Sequence, residues 1–127
     1  MRVLVVEDSP DNRELIEILL TQAGAIVDLA QDGQDGVQKA LEHSYNVVLM
    51  DIQMPNLDGH QAAQALRARG YRSPLVALTA HAMKEEQERC ILSGFTNFLS
   101  KPIQYEMMLK TLENFRGTVT PPNFQVH

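Results

Sequence analysis

Short apolar runs alternate with amphipathic stretches from residue 2 to residue 115, and this alternation predicts five strands and five helices. Residues 2–7 (RVLVVE) hold four consecutive branched apolar residues closed by acid, the composition of a strand buried on both faces. Ser9 is placed to cap a helix opening with Pro10, whose missing N–H costs nothing at a first helical position. Leu15, Ile16, Leu19 and Ala23 recur at helical spacing and form its expected buried face, and Gly24 ends it. Ile26–Ala30 (IVDLA) reads as a second strand, followed by an Asp32-Gly33 turn into a helix carried by Val37, Ala40 and Leu41.

The third strand, Val47 to Met50, ends abruptly on Asp51, and a loop with Pro55 leads to a helix start at Asp58-Gly59. That helix is expected to pack through Ala62, Ala63 and Leu66 and to stop at Gly70. Residues 75–78 (LVAL) form a fourth strand ending on Thr79-Ala80. The helix after it, Lys84–Ser93, is mostly polar with only Met83, Cys90 and Ile91 to bury, so it should be the least firmly anchored. Gly94 caps it, residues 96–99 give a short fifth strand, and Lys101-Pro102 breaks the chain. A last helix over residues 104–115 would bury Tyr105, Met108, Leu109 and Leu112.

Strands alternating with helices through short connections imply an α/β fold, a parallel sheet covered on both faces; right-handed crossovers restrict it to a few doubly wound orders. Residues 1–116 are expected to form one domain, and residues 117–127 (GTVTPPNFQVH) lose all periodicity and read as a flexible tail or linker. No apolar run approaches the roughly 20 residues of a membrane span, and acids break the first apolar run before a secretory segment could form. The single cysteine, Cys90, suits a reducing cytoplasm. A net charge of -5 argues against broad nucleic-acid binding and favours a protein partner or a cation.

Candidate chemistry falls at the carboxyl ends of strands: Glu7-Asp8 after the first, Asp51 at the third, Thr79 at the fourth and Lys101 after the fifth. A parallel sheet gathers those ends on one rim, where open α/β folds bind ligands. Three crowded carboxylates raise one another's pKa unless a cation compensates, and their hard oxygens suit Mg²⁺, with Mn²⁺ as a substitute. A lysine and a hydroxyl across from them suit a phosphoryl group, so the set describes phosphoryl transfer to the Asp51 carboxylate. No glycine-rich phosphate loop of the GxGxxG or GxxxxGK type supplies a nucleotide donor. Singly, each residue has an ordinary reading: a solvated strand end, a strand threonine, a surface lysine. His43, His60, His81 and His127 lack metal-ligand spacing and read as surface residues, with His81 the one to watch for its place two residues after Thr79.

The acidic pair in VVEDS, the motif LMDIQMPNLDG, the LTA segment and the FLSKP ending occur in order, and through them residues 1–115 resemble a response-regulator receiver domain of two-component signalling. LTAHAM followed by FLSKPI is similar to receivers of hybrid sensor histidine kinases. The resemblance implies a flavodoxin-like five-stranded parallel sheet in the order 2-1-3-4-5. It implies Asp51 as phosphoacceptor, Asp8 as direct Mg²⁺ ligand, Glu7 holding the ion through water, and the Gln53 carbonyl completing the protein ligands. Thr79 and Lys101 would contact phosphoryl oxygens, the peptide joining Lys101 to Pro102 would be cis, and Gln53 with His81 would tune hydrolysis. Phe98 falls at the aromatic switch position, where tyrosine is frequent; a phenyl ring lacks the hydroxyl. The implied partners are a sensor histidine kinase or a histidine phosphotransfer protein, and the chain is expected to be cytoplasmic and monomeric or weakly dimeric. Competing readings are an aspartyl-phosphate phosphohydrolase, against which Gln53 stands where a second aspartate is usual, a flavin-binding protein, and a pseudo-receiver that keeps the fold without the chemistry.

Overall fold

The computed structural model describes residues 1–80 and 83–115; His81 and the expected tail of residues 117–127 lie outside the described residues. The elements in order are β1 Arg2–Val6, α1 Pro10–Gln22, β2 Ile26–Ala30, α2 Gly33–Glu42, β3 Val47–Asp51, α3 Gly59–Ala68, β4 Leu75–Thr79, α4 Lys84–Ser93, β5 Asn97–Ser100 and α5 Tyr105–Glu113. All strand pairs are parallel and the sheet order is β2-β1-β3-β4-β5. The central strands β1, β3 and β4 are apolar almost throughout because each has a helix layer on either face.

Period-two alternation divides those strands between two cores. Leu4, Val6, Val48, Met50 and Ala77 point to one side, where Ala40 of α2, Ala62, Ala63 and Leu66 of α3 and Cys90 of α4 meet them. Val3, Val5, Leu49, Val76 and Leu78 point to the other, against Ile16 and Leu20 of α1 and Met108 and Leu112 of α5.

Helix faces are where the expected pattern and the structure part. In α1 the buried residues are Ile16 and Leu20, an i,i+4 pair, and Leu15 is 55% exposed. The apolar arc of α1 is wider than its line of contact with the sheet, so periodicity alone does not say which edge of the arc is covered. In α4 only Cys90 and Ser93 are buried; Met83 and Ile91, expected inside, are exposed, Ile91 at 64%. Tyr105, expected to be buried, opens α5 as an exposed residue.

The helix starts follow local chemistry. The Ser9 hydroxyl accepts from Asn12 N–H ahead of Pro10, and Asp32 accepts from Asp35 N–H at 2.8 Å. At α3, Asp58 accepts from Gln61 N–H at 2.8 Å while the Gln61 side chain accepts from Asp58 N–H at 3.0 Å, a complete capping box. No described helix is long and apolar enough to cross a membrane.

Candidate functional site

Because every strand runs the same way, the carboxyl ends of β1, β3, β4 and β5 share one edge, and the residues that follow or end them form the site. Glu7 leaves β1 with its N–H on the Ala30 carbonyl at 3.1 Å, and its side chain is buried. Ser9 N–H donates to its carboxylate at 3.2 Å and the Arg13 guanidinium holds its carbonyl at 2.8 Å. Sequence reasoning missed both supports, although a residue at a helix N-terminus has N–H groups to give.

Asp51 is the last residue of β3 and is buried, with its Oδ1 accepting from Gln53 N–H at 3.3 Å. Its backbone is wedged against α3, because Gly59 N–H donates to the Ile52 carbonyl at 2.9 Å. A side chain at position 59 would drive into the Asp51 carbonyl and come within 2.7 Å of Ile52 Cα, so glycine there is a packing requirement of the Asp51 position. Thr79 ends β4, buried, opposite Ser100 in the register. Lys101 N–H then donates to the Thr79 carbonyl at 2.7 Å, and the Lys101–Pro102 peptide is cis.

From there the Lys101 ammonium reaches Asp51 Oδ1 at 3.1 Å and Glu7 Oε1 at 3.4 Å. Carboxylate oxygens of Glu7, Asp8 and Asp51 all lie within 4.8 Å of one another, with Asp8 the most accessible of the three. Burial, then the adjoining Asp51 carboxyl, pushes the Glu7 carboxyl up to about 7; Ser9 N–H and the Lys101 charge pull the other way. For Lys101 burial alone would lower the pKa, but its bond to Asp51 and the Asp51 and Glu7 charges outweigh burial and raise it. A divalent cation would replace the proton that Glu7 retains, and the donors are all hard oxygens, so the residues present fit Mg²⁺.

Gln53 lies exposed in the loop after Asp51, and Phe98 is half buried on β5, opposite Ala77 and packed against the core. His60 was expected on the surface and is instead 3% exposed, held between Ser93 Oγ at 2.6 Å and Glu86 Oε1 at 3.1 Å. Its place three residues before Ala63 on the inward stripe of α3 is the sequence signal that marks it as buried.

The family model described as Response regulator receiver domain matches residues 3–113. The chain belongs to that family. Among its relatives, the sensor histidine kinase RcsC of Salmonella typhimurium is 38% identical over 112 residues, which are 88% of this chain and 12% of that kinase. The receiver domain of sensor histidine kinase PA1611 from Pseudomonas aeruginosa, solved with magnesium in its active site cleft, is 36% identical. Its TM-score is 0.84 over 92% of this chain and 98% of that one. The Ssk1 receiver domain of Saccharomyces cerevisiae, solved with the histidine phosphotransfer protein Ypd1, has a TM-score of 0.84 at 28% identity, covering 91% of this receiver and 88% of that chain. This receiver therefore spans about an eighth of the kinase it matches. Its sheet order is the one the resemblance implied, and neither the pseudo-receiver nor the phosphohydrolase reading is favoured.

Proposed function

We propose that this receiver accepts a phosphoryl group on Asp51 from the phosphohistidine of a sensor kinase or a histidine phosphotransfer protein. The observation that carries it is the Lys101 ammonium held 3.1 Å from Asp51 and 3.4 Å from Glu7 within a cluster of three carboxylates. That RcsC is a sensor histidine kinase, and that the Ssk1 receiver was solved with a phosphotransfer protein, supports this class of partner. An Asp51 carboxylate oxygen attacks phosphorus, the P–N bond breaks, and its electron pair leaves with the donor imidazole, giving an acyl phosphate. Lys101 neutralises charge on the transferring oxygens and the Thr79 hydroxyl donates to one of them. Mg²⁺, held by Asp8, Asp51 and the Gln53 carbonyl with Glu7 acting through water, would supply further neutralisation of those oxygens, and Mn²⁺ could stand in its place.

Once Asp51 is phosphorylated, Thr79 turns toward the new anion and Phe98 moves into the space it leaves, which shifts the surface of α4, β5 and α5 between two states. Gln53 and His81 set how readily water attacks the acyl phosphate. The same reading has the chain act in the cytoplasm as a monomer or weak dimer, binding protein and no nucleic acid, and turning over no substrate beyond its own phosphoryl group. Incubation with acetyl phosphate and Mg²⁺ is the test, followed over time by intact mass. One phosphoryl adduct is expected, absent in Asp51→Asn and altered in lifetime by Gln53→Ala and His81→Ala; an adduct that persists in Asp51→Asn rejects the assignment.

A further inference from the structure

A second cluster lies away from the strand-end carboxylates, between the first turn of α3 and the inner face of α4. His60 and Cys90 are 3% and 1% exposed, and the ligand atoms of His60, Glu86 and Cys90 all fall within 4.8 Å of one another. Glu86 and Cys90 are one helical turn apart on α4, so both side chains face α3. We propose that His60, Glu86 and Cys90 form a second metal site that takes a zinc-class divalent ion and ties α4 to α3.

The donor set is nitrogen, oxygen and sulfur, which suits borderline-soft Zn²⁺ and not Mg²⁺. His60 is already oriented for the role. In the metal-free protein the Ser93 hydroxyl can donate to Nδ1 at 2.6 Å while Nε2–H donates to Glu86 at 3.1 Å. Ser93 Oγ also lies 2.9 Å from the Arg89 carbonyl, so its hydroxyl proton has an acceptor in a second rotamer. With the proton turned to Arg89, the oxygen accepts from Nδ1–H, the imidazole takes its other tautomer, and the Nε2 lone pair is free for an ion. The His60 proton thus moves from one ring nitrogen to the other and stays on the ring. Three bonds form to the ion, from Nε2, the Glu86 carboxylate and the Cys90 sulfur. One proton leaves, the thiol proton of Cys90, and thiolate plus carboxylate balance the two positive charges.

A cavity of about 470 Å³ gives the access route and room for a water as fourth ligand. His60, Glu86 and Arg89 line it together with Gln53, Thr79 and Ala80, so an ion held by His60, Glu86 and Cys90 shares a cavity with residues of the phosphoacceptor rim without sharing its carboxylates. Zinc bonds of about 2.0–2.3 Å draw ligand atoms closer than the upper bound above, which Glu86, with a side chain 20% exposed, has room to allow. Burial, then the Glu86 charge, raises the Cys90 thiol pKa, and Arg89 lowers it in part while opposing the ion by its own charge. The row of Ser93, His60 and Glu86 also has the groups of a hydrolytic triad, but Ser93 is buried and reaches no substrate. Since Cys90 and Ser93 are the only buried residues of α4, an ion bound here would fasten the helix that the sequence and the packing both leave loosely held.

Cys90 is the only cysteine of the chain, so a thiolate-to-cobalt charge-transfer band reports this site and no other. The experiment is a Co²⁺ titration of the full chain in saturating Mg²⁺, which fills the carboxylate cluster, followed by displacement with Zn²⁺. We expect a band that saturates at one equivalent, disappears with Zn²⁺ and in Cys90→Ser, and weakens at least tenfold in affinity in Glu86→Gln. Affinity should rise about tenfold for each pH unit below the thiol pKa, one proton being released per ion. Absence of the band in the wild-type chain, or a band of unchanged affinity in Glu86→Gln, overturns the site.

Discussion

Glu7 is a buried carboxyl, and its chemistry is set by neighbours that arrive from other strands. Its pKa is raised from 4.5 to about 7, so between those values the folded state binds a proton that the unfolded chain has released. Stability from this group is therefore full below 4.5 and is lost as pH rises through about 7. At 1.36 kcal/mol per pKa unit the loss is roughly 3 kcal/mol. In the presence of a chelator, urea denaturation from pH 5 to pH 8 should show this decline in the wild type, flattened in Glu7→Gln and reversed by excess Mg²⁺, which favours the deprotonated cluster. A decline of equal size in Glu7→Gln would assign it elsewhere. The acid at position 7 and the crowding that raises its pKa were legible in the sequence; the burial that contributes most was not, because it depends on how the strand ends pack.

At the level of elements, the join between β3 and α3 positions the site most directly. The capping box of Asp58 and Gln61 starts α3, and Gly59 lets its first turn press against the Asp51 carbonyl. Gly59→Ala has no room to relax, because the atoms it meets are backbone, so it should lower stability by about 1–3 kcal/mol and weaken Mg²⁺ binding as Asp51 shifts. Chemical denaturation and Mg²⁺ titration of the variant read both; an unchanged midpoint would show that the turn yields freely. The sequence marked Asp58-Gly59 as a helix start through turn chemistry alone. It could not show that the same glycine is needed by a strand eight residues earlier, since close approach is a property of two segments. The faces of α1 and α4 teach the same lesson: Leu15 and Ile91 belong to apolar arcs by spacing, and only the packed sheet leaves them in solvent.

On the scale of the whole molecule the parallel sheet is rigid and α4 is held lightly, with no side-chain cap at Met83 and two buried residues. A phosphoryl group on Asp51 is then expected to bias α4 and β5 and leave the sheet in place, since a ligand shifts a two-state element only by its differential affinity for the two states. Amide shifts with and without a phosphoryl mimic should change at Thr79, Phe98 and through α4 while β1 and β2 stay fixed, and Asp51→Asn should abolish the change. Shifts confined to residues touching the mimic would remove the switch. The kind and order of the elements were fixed by local sequence, because a period of two or of 3.6 is written into neighbouring residues, and β1, β3, β4 and β5 each carry their own closing acid, hydroxyl or lysine. Tertiary structure alone decided which oxygens stand within 4.8 Å of one another, which apolar arcs are covered, and that His60 faces Glu86 and Cys90. Distance, burial and pKa depend on segments that meet only when the crossovers close, so no local pattern contains them.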